Sequence, residues 1–105
     1  MMNYDEYNLE INEPLKRLEL KIGNEPAFIE YKLRNDILFF IHTEVPVMLK
    51  GKGAGNAILQ KALQYAKDHH YKIVPICSFV QSYLQKHQQW NDIISPGAQR
   101  FIHKQ

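Results

Sequence analysis

The segment Lys50-Gly51-Lys52-Gly53-Ala54-Gly55 restricts the possible fold more than any other part of the chain. It carries three glycines within five positions, and each glycine in a helix interior costs about 1 kcal/mol relative to alanine, so a loop is predicted. An apolar, strand-like stretch over 37–43 precedes it, and a stretch over 56–70 with helical apolar spacing follows it. A loop between a buried strand and a helix start presents free backbone N–H groups, which favour a bound anion.

The remaining elements follow from periodicity and turn residues. Leu18, Leu20 and Ile22 alternate with charged residues, which indicates a half-buried strand. Ser78 and Gln81 match a capping box at the start of a last helix. Strands are predicted over 15–22, 27–34, 37–43 and 72–77, and helices over 56–70 and 79–87. The order β-β-β-α-β-α predicts an α/β fold with a mixed sheet, in which the third and fourth strands are parallel across a right-handed crossover.

The chain has 105 residues, which is the size of one ordinary domain. We expect a single domain over 1–105. Residues 1–13 are polar and are predicted to form an irregular lead-in. Pro96-Gly97 breaks the chain, and residues 96–105 are expected to be a frayed tail.

Composition excludes several classes of function. The net charge of +2 is too small for an electrostatic nucleic-acid binder. The longest apolar runs, such as 37–41, are too short to span a bilayer, and the N-terminus does not resemble a secretory signal. The lone cysteine, Cys77, excludes an internal disulfide and suits a reducing cytosol, so a cytoplasmic protein is expected. No His, Cys, Asp or Glu cluster has metal-ligand spacing, so no metal site is predicted.

The glycine loop matches neither of two common nucleotide-binding templates. A nucleotide-triphosphatase loop needs a lysine followed by Ser or Thr, and a dinucleotide fingerprint needs a further glycine at Asn56 or Ile58. The loop resembles the acyl-CoA loop of the GNAT acetyltransferases, Gln/Arg-x-x-Gly-x-Gly/Ala, with Lys50 in the first position. Three neighbouring motifs resemble a small single-domain branch of that superfamily: His42-Thr43-Glu44-Val45-Pro46, Val74-Pro75-Ile76-Cys77 and Phe79-Val80-Gln81-Ser82-Tyr83. The resemblance covers Leu18 to Ile94.

The resemblance implies a minimal GNAT fold that binds acetyl-CoA. In that fold the two central parallel strands splay apart and pantetheine enters the gap, which suits Pro46 and Pro75 because proline cannot donate to a sheet ladder. The cofactor is then expected to contact the exit of the third strand and the glycine loop. The residues concerned are Val45, Val47, Lys50, Gly51, Lys52, Gly53, Ala54, Gly55 and Asn56.

The same resemblance implies transfer of the acetyl group to an amine, with four candidate catalytic residues. Cys77 precedes the last helix, whose dipole favours a thiolate that could attack the thioester; the alternative is a small buried apolar residue. His42 could deprotonate an ammonium or Cys77, and Glu44, two positions away on the same strand face, could assist it. Tyr83 is placed where a GNAT tyrosine protonates the departing thiolate, or it packs in the core.

Three functions remain open at this point. The first is an acetyl-CoA-dependent N-acetyltransferase acting on a small amine or a protein amine. The second is a catalytically degenerate acyl-CoA-binding module that regulates a partner, and the third is a protein-interaction domain. The sequence does not name the acceptor, and the acetyl group could travel through Cys77 or directly to the amine.

Overall fold

The computed structural model describes residues 3–102. Five strands form one sheet in the order β1-β2-β3-β4-β5. The strands are β1 (Glu10–Asn12), β2 (Arg17–Ile22), β3 (Glu25–Arg34), β4 (Ile37–Glu44) and β5 (Lys72–Pro75), and the helices are α1 (Ala54–Asp68) and α2 (Ser78–Lys86). Short 3-10 segments cover Val47–Leu49, Gln88–Ile93 and Pro96–Phe101. A mixed sheet with two helices confirms the predicted fold class.

The sheet is built on the predicted period-two pattern. In β2, Leu18 pairs with Ile29 and Leu20 pairs with Ala27 across an antiparallel register. These four side chains are fully buried on one face of the sheet, where the core lies. Their sequence neighbours point to the other face because successive strand residues alternate. That opposite face carries charged groups, including Arg17, whose guanidinium lies 3.9 Å from the centre of the Phe28 ring.

β4 and β5 are parallel, as predicted, and α1 forms the crossover between them. Their pairing ends at Phe40 and Pro75, yet β4 continues for four more residues. The N–H groups of Ile76 and Cys77 both donate to the Phe40 carbonyl, each at 3.0 Å. The two strands therefore diverge beyond this point, and a gap opens between the end of β4 and the start of α2.

Both ends of the described chain differ from the expectation. Within the lead-in over 1–13, Glu10–Asn12 form strand β1, because Ile11 pairs with Leu18 at the edge of the sheet. Within the expected frayed tail over 96–105, residues 96–102 are packed, with Ala98 and Ile102 buried. Residues 1–2 and 103–105 lie outside the described residues.

The predicted capping box at α2 is wrong. The N-cap residue is Cys77, and no side chain caps this helix in the described chain. Ser78 is instead the first helical residue. The Gln81 amide donates to the Pro75 carbonyl at 2.9 Å and to the Ile76 carbonyl at 3.3 Å, so it binds acceptors of the preceding strand rather than N–H groups.

Candidate active site

The loop between β4 and α1 depends on two glycines with left-handed backbone angles. Gly51 has a φ of 77° and Gly53 has a φ of 83°, a region that other L-residues rarely occupy. Two hydrogen bonds close the loop: the Lys50 N–H donates to the Val47 carbonyl, and the Lys52 N–H donates to the Leu49 carbonyl. This geometry turns the chain directly into α1, which begins two residues earlier than predicted.

The start of α1 leaves four backbone N–H groups without helical partners. They belong to Gly53, the N-cap residue, and to Ala54, Gly55 and Asn56, since the first helical bond runs from Ala57 N–H to the Gly53 carbonyl at 3.0 Å. Among residues 3–102 no side chain caps this helix. The positive end of the helix dipole and these four free N–H donors therefore lie together at the start of α1. This arrangement is suited to binding a phosphate.

A cavity of about 410 Å³ lies against this helix start. Seven of the nine residues predicted to contact the cofactor line it, namely Val45, Lys50, Gly51, Gly53, Ala54, Gly55 and Asn56. Thr43, Glu44, Leu49 and Phe79 complete the lining. Val47 and Lys52 lie outside it: Val47 is 82% exposed, and Lys52 lines a neighbouring cavity that shares Gly53 and Asn56 with this one.

Phe79, which the sequence did not suggest as a site residue, forms one wall of this cavity. A β-carbon at Gly55 would lie 3.0 Å from Phe79 Cζ and 3.6 Å from Val45 Cγ2. Glycine at position 55 therefore lets the first turn of α1 pack against the aromatic ring. A long-range contact of this kind leaves no local pattern, so sequence reasoning could not have found it.

Cys77 lies at the gap between the diverging strands. It is half-buried, and its Sγ is 3.6 Å from the Thr43 Oγ1. As the N-cap residue of α2, the thiol is next to the positive end of that helix dipole. Thr43 pairs with the buried Ile29, so this contact lies on the core side of the sheet.

His42 and Glu44 form the predicted pair. His42 Nε2 is 2.8 Å from Glu44 Oε2, and both side chains are 55% exposed. Their cross-strand partners, Glu30 and Phe28, lie on the open face of the sheet. The His42 side chain therefore projects from the face of the sheet opposite the Cys77–Thr43 contact. Glu44 also lines the cavity.

Tyr83 is buried and does not line the cavity. Its ring is stacked on His87, with centroids 3.9 Å apart and an interplanar angle of 13°. Burial raises the pKa of the Tyr83 phenol above its usual value of 10.0, and the nearby Trp90 offsets part of that rise. Tyr83 packs in the core, and its phenol is kept in the neutral form that can donate a proton. Protonation of the departing thiolate by Tyr83 stays a prediction.

Residues 3–102 contain neither a metal-binding cluster nor a membrane-spanning helix. No group of three or more His, Cys, Asp and Glu side chains over 3–102 could hold a metal ion. Neither helix of the described chain has the length and apolar character needed to cross a membrane.

Comparison with known proteins agrees with this geometry. A sequence model described as GCN5-related N-acetyl-transferase matches residues 17–93. The fold is similar to the solution structure of a GCN5-like protein from Staphylococcus aureus, with 27% sequence identity and a TM-score of 0.64. The alignment covers 84% of this chain and 89% of that one. The matched region contains the sheet from β2 onward, the glycine loop, Cys77 and α2, and the chain belongs to the GCN5-related N-acetyltransferase family.

Proposed function

We propose that this protein is an acetyl-CoA-dependent N-acetyltransferase that acts on an amine. One observation carries the proposal: the residues with the four free N–H groups at the start of α1 line one cavity together with Thr43 and Glu44 at the end of β4 and Phe79 in α2. The pyrophosphate of coenzyme A would accept hydrogen bonds from Gly53 to Asn56, and Lys50 adds positive charge. The pantetheine arm would then run along the free end of β4, past Val45 toward Cys77.

The His42–Glu44 pair is suited to the amine acceptor rather than to the thiol. It is exposed on the open face, where an acceptor can approach, and the carboxylate can hold the imidazole in orientation. We propose that His42 removes a proton from the incoming ammonium at the end of β4, where Glu44, which holds the imidazole at 2.8 Å, also lines the cavity and so connects the open face with the side on which Cys77 lies. The neutral amine then has a free electron pair with which to attack the acetyl carbonyl.

We propose that the acetyl group passes through Cys77. The Cys77 thiolate forms a bond to the acetyl carbonyl carbon, the bond between that carbon and the coenzyme A sulfur breaks, and coenzyme A leaves as a thiolate that takes up a proton. The amine nitrogen then bonds to the carbonyl carbon of the new thioester, the bond between that carbon and Cys77 Sγ breaks, and the departing Cys77 thiolate takes up the proton that the nitrogen loses. Cys77 is the N-cap residue of α2, so its sulfur is next to the positive end of that helix dipole in both steps.

Intact-protein mass spectrometry after incubation with acetyl-CoA tests this route. We expect an added acetyl mass that hydroxylamine removes, because hydroxylamine cleaves a thioester and leaves a lysine amide intact. Cys77→Ala should abolish the adduct and slow turnover of an amine acceptor. An adduct that survives in Cys77→Ala would show that the acetyl group is held elsewhere than on Cys77, and full activity of that variant would show that transfer does not pass through Cys77.

A screen of amines with acetyl-CoA, followed by release of free thiol, tests the activity itself. His42→Ala should slow turnover by about a hundredfold, which is typical of losing a general base. His69→Ala, at the far end of α1, is the matched control and should leave the rate unchanged. Saturable acetyl-CoA binding without turnover for any amine would instead support an acyl-CoA-binding module.

A further inference from the structure

One side chain of the N-terminal segment contacts the glycine loop. Tyr4 is buried, with 8% of its surface exposed. Its hydroxyl donates a hydrogen bond of 2.8 Å to the Lys52 carbonyl, 48 positions away in the sequence. Its ring edge lies 4.0 Å from the place that a β-carbon at Gly53 would occupy. Tyr4 therefore touches the loop at the peptide group that joins Lys52 to Gly53.

This hydrogen bond fixes the direction of that peptide group. In a planar trans peptide the carbonyl of one residue and the N–H of the next point in opposite directions. Tyr4 and Lys52 line a cavity of about 490 Å³, and Gly53 lines both that cavity and the cofactor cavity, which Tyr4 does not line. Holding the Lys52 carbonyl toward Tyr4 therefore turns the Gly53 N–H away from Tyr4.

The loop needs such a restraint because glycines stand at positions 51 and 53. Glycine adopts positive and negative φ with similar ease, so the peptide group between Lys52 and Gly53 can rotate through a change in the φ of Gly53 at little cost. A site that is correctly arranged for only a fraction of the time binds its ligand more weakly by that fraction. Within residues 3–102 the Gly53 N–H makes no hydrogen bond of its own that could hold it.

We propose that Tyr4 is a positioning residue for the cofactor loop: it presets the Gly53 N–H to meet a phosphate oxygen. This inference rests on the proposed binding of acetyl-CoA at the loop. Tyr4 lies outside residues 17–93, which the family model matches. The N-terminal segment would therefore contribute to the arrangement of the site.

The test is Tyr4→Phe, which removes the hydroxyl and keeps the ring. We expect the dissociation constant for acetyl-CoA, measured by calorimetry, to rise about fivefold, the usual worth of one net hydrogen bond. KM for acetyl-CoA should rise by the same factor while kcat is unchanged. Tyr7→Phe is the matched control, because its ring lies 6.4 Å from that of Tyr4 and its hydroxyl, in the described chain, donates nothing to the loop.

Two measurements keep this inference separate from the proposed function. If the unsubstituted protein does not bind acetyl-CoA, the proposed function fails, and ligand-free amide spectra decide the role of Tyr4. Tyr4→Phe should then shift or broaden the amide signals of Gly51 to Gly53, and Tyr7→Phe should not. Unchanged amide signals in Tyr4→Phe would overturn the inference. If the parent protein binds acetyl-CoA, an equal acetyl-CoA affinity of Tyr4→Phe would also overturn it, and so would a lower kcat at unchanged KM.

Discussion

The three glycines of the segment Lys50–Gly55, two in the loop and one in the first turn of α1, are needed for two different physical reasons. At Gly51 a β-carbon would meet nothing within 4 Å, and at Gly53 it would meet only Tyr4 at 4.0 Å, so space does not limit either position. The left-handed φ angles of Gly51 and Gly53 are what disfavour other residues at these positions. At Gly55 the φ is ordinary for a helix, but a β-carbon would lie 3.0 Å from Phe79. One sequence motif thus combines two backbone requirements with one packing requirement.

Gly53→Val tests the backbone requirement. A β-branched residue in the left-handed region costs about 1–2 kcal/mol, so the free energy of unfolding measured in urea should fall by that amount. Acetyl-CoA affinity should also fall, because the loop would relax away from its present shape. Gly97→Val is the control: it also faces open space, its φ is not left-handed, and it should change stability little. Equal losses in the two variants would contradict this explanation.

Sequence reasoning anticipated a contact between residues that are close in the sequence and missed contacts between residues that are far apart. The His42–Glu44 pair was predictable because residues two apart in a strand share a face. The contact of Cys77 with Thr43 spans 34 positions and depends on how β4 and β5 diverge. The side of the sheet on which His42 lies depends on the register with β3, which includes a bulge between Glu30 and Tyr31.

Among the elements, the junction of β5 and α2 shows how a local motif can mislead. Ser78 and Gln81 have the spacing of a capping box, but the helix begins at Ser78 itself, so neither side chain reaches the expected N–H group. The Gln81 amide turns back to the Pro75 carbonyl. That carbonyl belongs to the last paired residue of β5, where the sheet gives it no further partner, so a side chain satisfies it instead.

Gln81→Ala should therefore weaken the β5–α2 junction. Pro75 is fully buried, and leaving its carbonyl unpaired should lower the free energy of unfolding by about 1 kcal/mol. Gln85→Ala, on the exposed side of the same helix, removes the same side chain without that contact and should be neutral. If the two variants unfold at the same denaturant concentration, the hydrogen bond to Pro75 has no role in stability.

Elements with a strong period were predicted well, and elements held by distant partners were not. The alternation in β2 and the helical spacing in α1 are properties of the segments themselves. β1 has one apolar residue, Ile11, and exists because the edge of β2 offers it hydrogen bonds. A three-residue strand of this kind has no pattern of its own for sequence reasoning to detect.

At the scale of the whole molecule, the two ends of the described chain complete a sheet with one core face. Near the C-terminal end, Ile94 bridges to Ile73 in parallel, and the Ser95 N–H donates to the Ile73 carbonyl at 2.8 Å. This contact covers the free edge of β5. Near the other end, Tyr4 braces the glycine loop. Both segments contain breaks or polar residues that suggest disorder when taken alone, and their order comes from the surface on which they pack.

Three tyrosines in different elements link the stability of the whole molecule to alkaline pH. Burial raises the pKa of Tyr31 in β3, of Tyr65 in α1 and of Tyr83 in α2 above the usual 10.0, with smaller additions from Glu13 at Tyr31 and from Tyr71 at Tyr65. Above pH 10 the unfolded chain therefore loses these protons before the folded chain does. Since the folded state then binds more protons, the free energy of unfolding must fall as the pH rises.

We expect urea unfolding to show stability that is unaffected by these groups below pH 10 and that declines as the pH passes through their raised pKa values. Lysines also titrate in this range, so the comparison with a phenylalanine variant isolates the phenols. Tyr83→Phe removes the hydroxyl whose pKa burial raises, and its decline above pH 10 should be shallower than that of the parent. Tyr31→Phe should act in the same direction, because Glu13 adds to the effect of burial there. Parallel declines in parent and variants would show that these phenols ionise equally easily in the folded and unfolded chain, and that their burial does not couple to folding.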